Sequence, residues 1–211
     1  MSPNAFPILP HLQFATDYRA DMKNMVRVLI VAGSDSGGGA GIQADIKTVT
    51  MLGGYAATAV TAITVQNTLG VSAIVPIAPD VVAAQMRAVL DDIGADIVKI
   101  GMLGDAAVIA AVAEVLREAR LPVVLDPVMV ATRVKGDAKL LDPAALEAMR
   151  ELTHHAMLVT PNLDEASVLM EREIVTISDM RDAASRMRDR FGCEAVLVKG
   201  VGEHPGDVEP A

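Results

Sequence analysis

Apolar residues along the chain recur in two alternating rhythms. Short, largely apolar runs at 26–31, 57–65, 96–100, 123–125, 157–160 and 195–199 read as strands buried on both faces, with a shorter strand expected at 72–77. Between them, apolar positions repeat at helical spacing. Ile42, Ile46 and Val49 mark one helix closed by Gly53, and Val82, Met86, Val89 and Leu90 mark a second. Val108, Val112, Val115 and Leu116 follow Asp105, a candidate cap. Asp142-Pro143 opens a helix to Leu152, and further helices are expected over 163–170 and 178–191. Strands alternating with helices predict an α/β fold. It is a doubly wound, mainly parallel sheet with helices on both faces, and ligands bind outside the carboxyl ends of its strands.

Residues 1–24 follow neither rhythm. They read as a disordered or loosely packed leader, with residues 25–211 forming one domain. The chain has 211 residues, 52% of them apolar, enough for one substantial core. A formal net charge of -9 argues against a nucleic-acid or anionic-membrane surface. Cys193 is the single cysteine, so no internal disulfide forms, and it reads as a small core residue. Residues 48–79 carry no charge, but glycines, threonines and Gln66-Asn67 break the stretch well short of a membrane span. A cytoplasmic location is expected.

Polar and glycine clusters stand where the predicted strands end. The first is Gly33-Ser34-Asp35-Ser36-Gly37-Gly38-Gly39-Ala40-Gly41, whose glycines allow a ligand close to the backbone, ahead of a helix start that offers N–H groups. No Lys-Ser or Lys-Thr completes a P-loop. Gly39-Ala40-Gly41 matches a dinucleotide fingerprint only loosely, and Gln66-Asn67 replace the acidic residue that fingerprint needs. Gln66 offers both donor and acceptor to a heteroaromatic edge. Met102 is either core or a ring-packing residue. Asp126 is either a turn residue or a ligand of hydrated Mg²⁺. Asn162 and Glu165, three apart at a helix start, serve a shared face or a cap. Lys199 is a cation suited to phosphate.

The blocks AGSDSGGGAGIQADIKT (32–48), TAITVQNT-x-GV (61–71), KIGML (99–103), LDPVM (125–129), TPNLDEA (160–166) and VLVKG (196–200) occur in one order. Together they resemble the hydroxymethylpyrimidine and phosphomethylpyrimidine kinases of thiamine synthesis, within the ribokinase-like superfamily. The resemblance implies ATP- and Mg²⁺-dependent phosphorylation of a hydroxymethyl group and then of the monophosphate. It implies that Gly33, Ala40, Gln66, Met102 and Val128 line a pyrimidine pocket, with Asp35 in the pocket turn as a further substrate-binding residue. Asp126, Asn162 and Glu165 would organise Mg²⁺ and the phosphates, Asp126 and Glu165 as metal ligands, with Lys199 near the nucleotide. The family continues past its equivalent of 196–199 into a glycine-rich anion hole that carries the catalytic base. Here 201–211 form a polar tail, and Gly206-Asp207 stand too close to the last strand to substitute. The expectation is therefore a C-terminally incomplete member with no base identified. One sheet face would be left apolar, inviting poor solubility, a homo-oligomer or a covering partner. A pyridoxal or pyridoxine kinase and a non-catalytic pyrimidine-binding module are the alternatives.

Overall fold

The computed structural model describes residues 24–129 and 143–200. The expected leader up to residue 23, the Asp142 cap and the 201–211 tail with Gly206-Asp207 lie outside the described residues. Among the described residues, seven strands form one sheet: β1 (Arg27–Asp35), β2 (Tyr55–Asn67), β3 (Gly70–Pro76), β4 (Ile97–Ile100), β5 (Val123–Leu125), β6 (Leu158–Val159) and β7 (Ala195–Val196). The described helices are α1 (Gly41–Met51), α2 (Pro79–Asp92), α3 (Ala106–Ala119), α4 (Pro143–Thr153), α5 (Leu163–Met170) and α6 (Ile177–Phe191).

The strand order is β3-β2-β1-β4-β5-β6-β7. Among the described residues, only the β2–β3 pair is antiparallel. The chain leaves β1 toward β2 on one side and returns to β4 on the other. A topological switch point therefore opens at the carboxyl ends of β1 and β4, where such sheets bind ligands.

Helices cover both faces, but unevenly among the described residues. Leu29, Val31, Val98, Ile100 and Leu125 point into one large core with residues of α2 to α6. Ile30 and Ala32 point the other way and meet Ile42 of α1, with Ile46 and Val49 packed alongside. On α1's face farther along the sheet, Val124 and Leu158 are half-buried, and Leu197 is 57% exposed. The charge-free stretch is mostly the β2–β3 hairpin, and no described helix is long and apolar enough to cross a membrane.

Two expected strand ends are corrected. β1 continues beyond residue 31 through Gly33, Ser34 and Asp35, because Ser34 and Asp35 pair with Ile63 and Thr64 of β2 across a register shift. β2 continues to Asn67 because it turns directly into β3. The first two polar clusters thus begin inside strands. β6 and β7 are shorter than expected, yet their ladder continues through Leu197 N–H to Val159 O (2.9 Å) and Lys199 N–H to Pro161 O (2.7 Å). The Asp105 cap forms as expected, its carboxylate accepting from Val108 N–H at 2.8 Å. Cys193 is buried and unpaired.

Candidate active site

A cavity of about 330 Å³ opens at the switch point. Gly33, Ala40, Gln66, Met102 and Val128 all line it, although they come from four separate sequence blocks. Asp35 and Asp126 line it as well.

Its walls are fixed by local hydrogen bonding. Thr61, buried in β2, donates from Oγ1 to the Met102 carbonyl at 2.6 Å and so holds the Met102 segment. A Cβ at Gly33 would stand 2.6 Å from Met102 Cε, so the missing side chain is the space that the methionine methyl occupies. Thr64 Oγ1 contacts Ser34 O at 2.9 Å and Gln66 Oε1 at 3.2 Å, anchoring the glutamine amide to the strand floor. Gln43 of α1 accepts from Asp35 N–H at 2.8 Å and donates to Ser34 Oγ at 2.7 Å, which ties α1 to the end of β1.

In the glycine-rich turn, N–H groups ahead of the helix start are already engaged. The Asp35 carboxylate accepts from Gly37 N–H (2.7 Å), Gly39 N–H (2.9 Å) and Ala40 N–H (2.8 Å). The turn is an anion nest whose anion is the chain's own aspartate. Asp35 lines the cavity, but both its oxygens are engaged in shaping the loop. Close approach is needed most at Gly41. It has φ +55°, and a Cβ there would lie 2.3 Å from the Gly33 carbonyl oxygen. Gly39 has open space instead, its nearest neighbour being Asp35 Oδ2 at 4.0 Å.

A second polar group forms beside β6 and β7. Lys199 Nζ makes an ion pair with Asp126 Oδ1, which also accepts from Thr160 Oγ1 at 3.4 Å. Asn162 and Glu165 form a reciprocal capping box on α5. Glu165 N–H donates to Asn162 Oδ1, and Asn162 N–H to Glu165 Oε2, both at 2.8 Å. Of the two alternatives for these residues the cap is the one seen, and it holds a buried carboxylate near Asp126 and Lys199. Burial pushes the Glu165 carboxyl above its ordinary range. The Asn162 N–H opposes the rise and the Asp126 charge adds to it.

That shift has a testable sign. An acid whose folded pKa is raised contributes its stability below the ordinary Glu pKa and loses it as pH rises through the folded value. Glu165→Gln keeps a capping side chain and removes the buried charge. The variant should melt above the wild type at pH 8, and the gap should shrink as pH falls toward about 4, near the ordinary Glu value. Thermal unfolding across that range is the measurement. A lower melting point at pH 8 would mean that the ionised carboxylate is stabilising.

Among the cavity residues to which the sequence assigned no role are Asp45, Thr64 and Lys99. Lys99 had a signal, being a lysine inside the strand Ile-Val-Lys-Ile. Asp45 had almost none, because polar residues are ordinary on a helix such as α1.

Residues 35–209 match the sequence model of the phosphomethylpyrimidine kinase family. The chain belongs to that family. It is 53% identical over 175 residues to a thiamine biosynthesis bifunctional protein ThiED of Geobacter sulfurreducens, covering 82% of this chain and 35% of that protein. It is 50% identical over 177 residues to a hydroxymethylpyrimidine/phosphomethylpyrimidine kinase of Mycobacterium tuberculosis, covering 82% and 63%. The chain thus spans under two thirds of the length of these relatives. Among solved structures, it resembles the phosphomethylpyrimidine kinase of Clostridium difficile with TM-score 0.76 and 37% identity, over 87% of this chain and 78% of that one. It also resembles a Bacillus subtilis pyridoxal kinase solved as an ADP complex, with TM-score 0.74 and 38% identity, over 85% and 66%. The ribokinase-like architecture expected from the sequence blocks is the one these kinases have.

Proposed function

We infer that residues 25–211 form the acceptor-binding body of a cytoplasmic hydroxymethylpyrimidine/phosphomethylpyrimidine kinase of thiamine synthesis. The hydroxymethyl oxygen attacks the γ-phosphorus of ATP, the bond to the bridging oxygen breaks, ADP leaves, and the hydroxyl proton is released to solvent. In a second turn the monophosphate oxygen is the nucleophile. The observation that carries this function is the cavity, where Gly33, Ala40, Gln66, Met102 and Val128 meet at the switch point. Its size suits a single substituted ring, and its lining joins a flexible methionine to one amide able to pair with an aminopyrimidine edge.

Phosphoryl transfer depends mainly on positioning and charge neutralisation. Lys199 and Asn162 stand together beside β6 and β7, joined by a β-bridge, and are the side chains assigned to the nucleotide phosphates. Asp126 and Glu165 fit a hydrated Mg²⁺. This ion takes one or two carboxylates plus substrate phosphates rather than a full protein cage, and Glu165 is a buried acid in the field of a second one. The ion would supply neutralisation of phosphate charge. No catalytic base is assigned among the described residues.

Pyridoxal phosphorylation is the second reading, favoured by the likeness to pyridoxal kinase. Gln66 discriminates between the two. A site built to hydrogen-bond a substrate rejects an analogue lacking the partner group strongly. Calorimetry should show hydroxymethylpyrimidine binding more tightly than pyridoxal. Gln66→Leu should weaken the pyrimidine by about 10²-fold, because its ring amine and nitrogen lose their partner, while affecting pyridoxal much less. Tighter pyridoxal binding by the wild type would reverse the assignment.

A further inference from the structure

The pocket residues assigned above leave unexplained an ion pair in the same cavity. Lys99, in β4, places Nζ 2.7 Å from Asp45 Oδ2 of α1, and both residues line the cavity. Their side chains are 24% and 22% exposed, so the pair is largely withdrawn from bulk water. An ion pair in such a place adds little to stability, since desolvation offsets much of the attraction. It calls for another purpose.

Backbone geometry keeps the lysine facing the cavity. Lys99 is in register with Ile30 of β1, whose side chain packs toward α1, so Lys99 rises on the same face. Two residues on is Gly101, where a Cβ would stand 3.2 Å from Lys99 Nζ and 3.0 Å from Ala32 Cβ. The ammonium occupies room that the glycine leaves. An ammonium has three donors, so contact with one Asp45 oxygen leaves two N–H groups for a ligand.

The charge balance shows what that ligand is. The described lining carries the carboxylates of Asp35, Asp45 and Asp126, and Lys99 is its one basic residue. Asp35 is held by three backbone N–H groups and Asp126 by Lys199. An uncharged alcohol needs no cation here. A phosphate monoester brings roughly 1.5 to 2 negative charges at neutral pH into an acidic cavity and does need one.

We propose that Lys99 is the specificity-determining residue that admits the phosphorylated acceptor, with Asp45 as the positioning residue that aims it and moderates its charge. The ligand class is the phosphate monoester of a small heteroaromatic alcohol. The identity of the ring rests on the pyrimidine-kinase function inferred above; the preference for a phosphate rests on the ion pair.

The test is calorimetry on the full chain with hydroxymethylpyrimidine and with its monophosphate, at fixed ionic strength. Lys99→Met keeps the length of the side chain and removes its charge. It should weaken the monophosphate about 10-fold or more relative to the alcohol, the loss typical of a charged hydrogen bond. Asp45→Asn should act in the opposite direction, strengthening the monophosphate several-fold relative to the alcohol as the lysine's charge is unmasked. A purely structural pair would shift both variants the same way, or both ligands equally, and either result overturns the proposal. If Lys99→Met does not fold, the sign of the Asp45→Asn effect decides alone. A wild type that binds the alcohol but rejects the monophosphate defeats this inference only. A wild type that binds neither defeats the pyrimidine assignment, and this proposal with it.

Discussion

Gly41→Ala is expected to lower the melting temperature by about 6–12 °C and to remove measurable pyrimidine binding. The residue has φ +55°, a region that costs a side-chain-bearing residue about 1–2 kcal/mol. The added methyl would also lie 2.3 Å from the Gly33 oxygen and 3.2 Å from its carbonyl carbon. Neither side yields easily. Gly33 is flanked by the Ala32–Val60 and Ser34–Ile63 pairings of β1 with β2, and Gly41 begins α1, which Gln43 ties to the same strand. Relief requires α1 to move away from β1. A total near 3 kcal/mol is a reasonable size for such backbone conflict, and about 2–4 °C per kcal/mol applies to a chain of this length. The same movement displaces Ala40 and Gly41 from the cavity wall, hence the loss of binding. Gly39→Ala is the internal control, because its methyl meets nothing closer than Asp35 Oδ2 at 4.0 Å. It should melt within a degree or two of wild type. Circular dichroism melts and pyrimidine titration of both variants check the contrast. A wild-type melt for Gly41→Ala would show that the turn is not under this constraint.

These two glycines also show where sequence reading stops. A run with four glycines in five positions announces a tight loop near backbone or ligand, but which glycine is obligatory depends on what lies opposite. Residue 41 faces the carbonyl of residue 33, and no local pattern records that. Strand boundaries behaved similarly. The three-residue β5 was legible as the apolar run 123–125, because buried parallel strands need no polar face. The ends of β1 and β2 were not, because Ser34, Asp35, Gln66 and Asn67 are polar and resemble loop. They become strand only through pairing with residues about 30 positions away or across the hairpin.

The site shows the same division. Gln66, Met102 and Val128 were legible as pocket residues through resemblance across several blocks, and they converge on one cavity. Asn162 and Glu165 were legible as a pair three apart. That spacing serves a cap and a ligand set equally, and the reciprocal hydrogen bonds reveal the cap. The Lys99–Asp45 pair spans 54 positions. A lysine in an apolar strand says that a partner exists; only the packing of α1 on the sheet says which.

Asp35→Ala is expected to be the most damaging change at an acidic cavity residue, and to damage stability and binding together. The sequence placed Asp35 among the substrate-binding residues, yet its two oxygens accept three backbone N–H bonds within the turn. Truncation leaves those donors without their acceptor. Each unmade bond to a buried donor costs about 1–3 kcal/mol. The turn is partly exposed, so hydration recovers some of this, and a total of about 2–4 kcal/mol is expected, or roughly 4–16 °C in melting temperature. Asp35→Asn separates the possible roles. Its one remaining oxygen can serve Gly39 and Ala40, while its amide nitrogen then faces the Gly37 N–H as a second donor and loses that bond. The order wild type, Asn, Ala should therefore hold both for thermal stability and for pyrimidine affinity measured by calorimetry. A carboxylate that touched the ligand directly would separate the two readouts. Both variants would then melt like wild type while affinity alone collapsed, and Asp35 would return to the role of a binding residue.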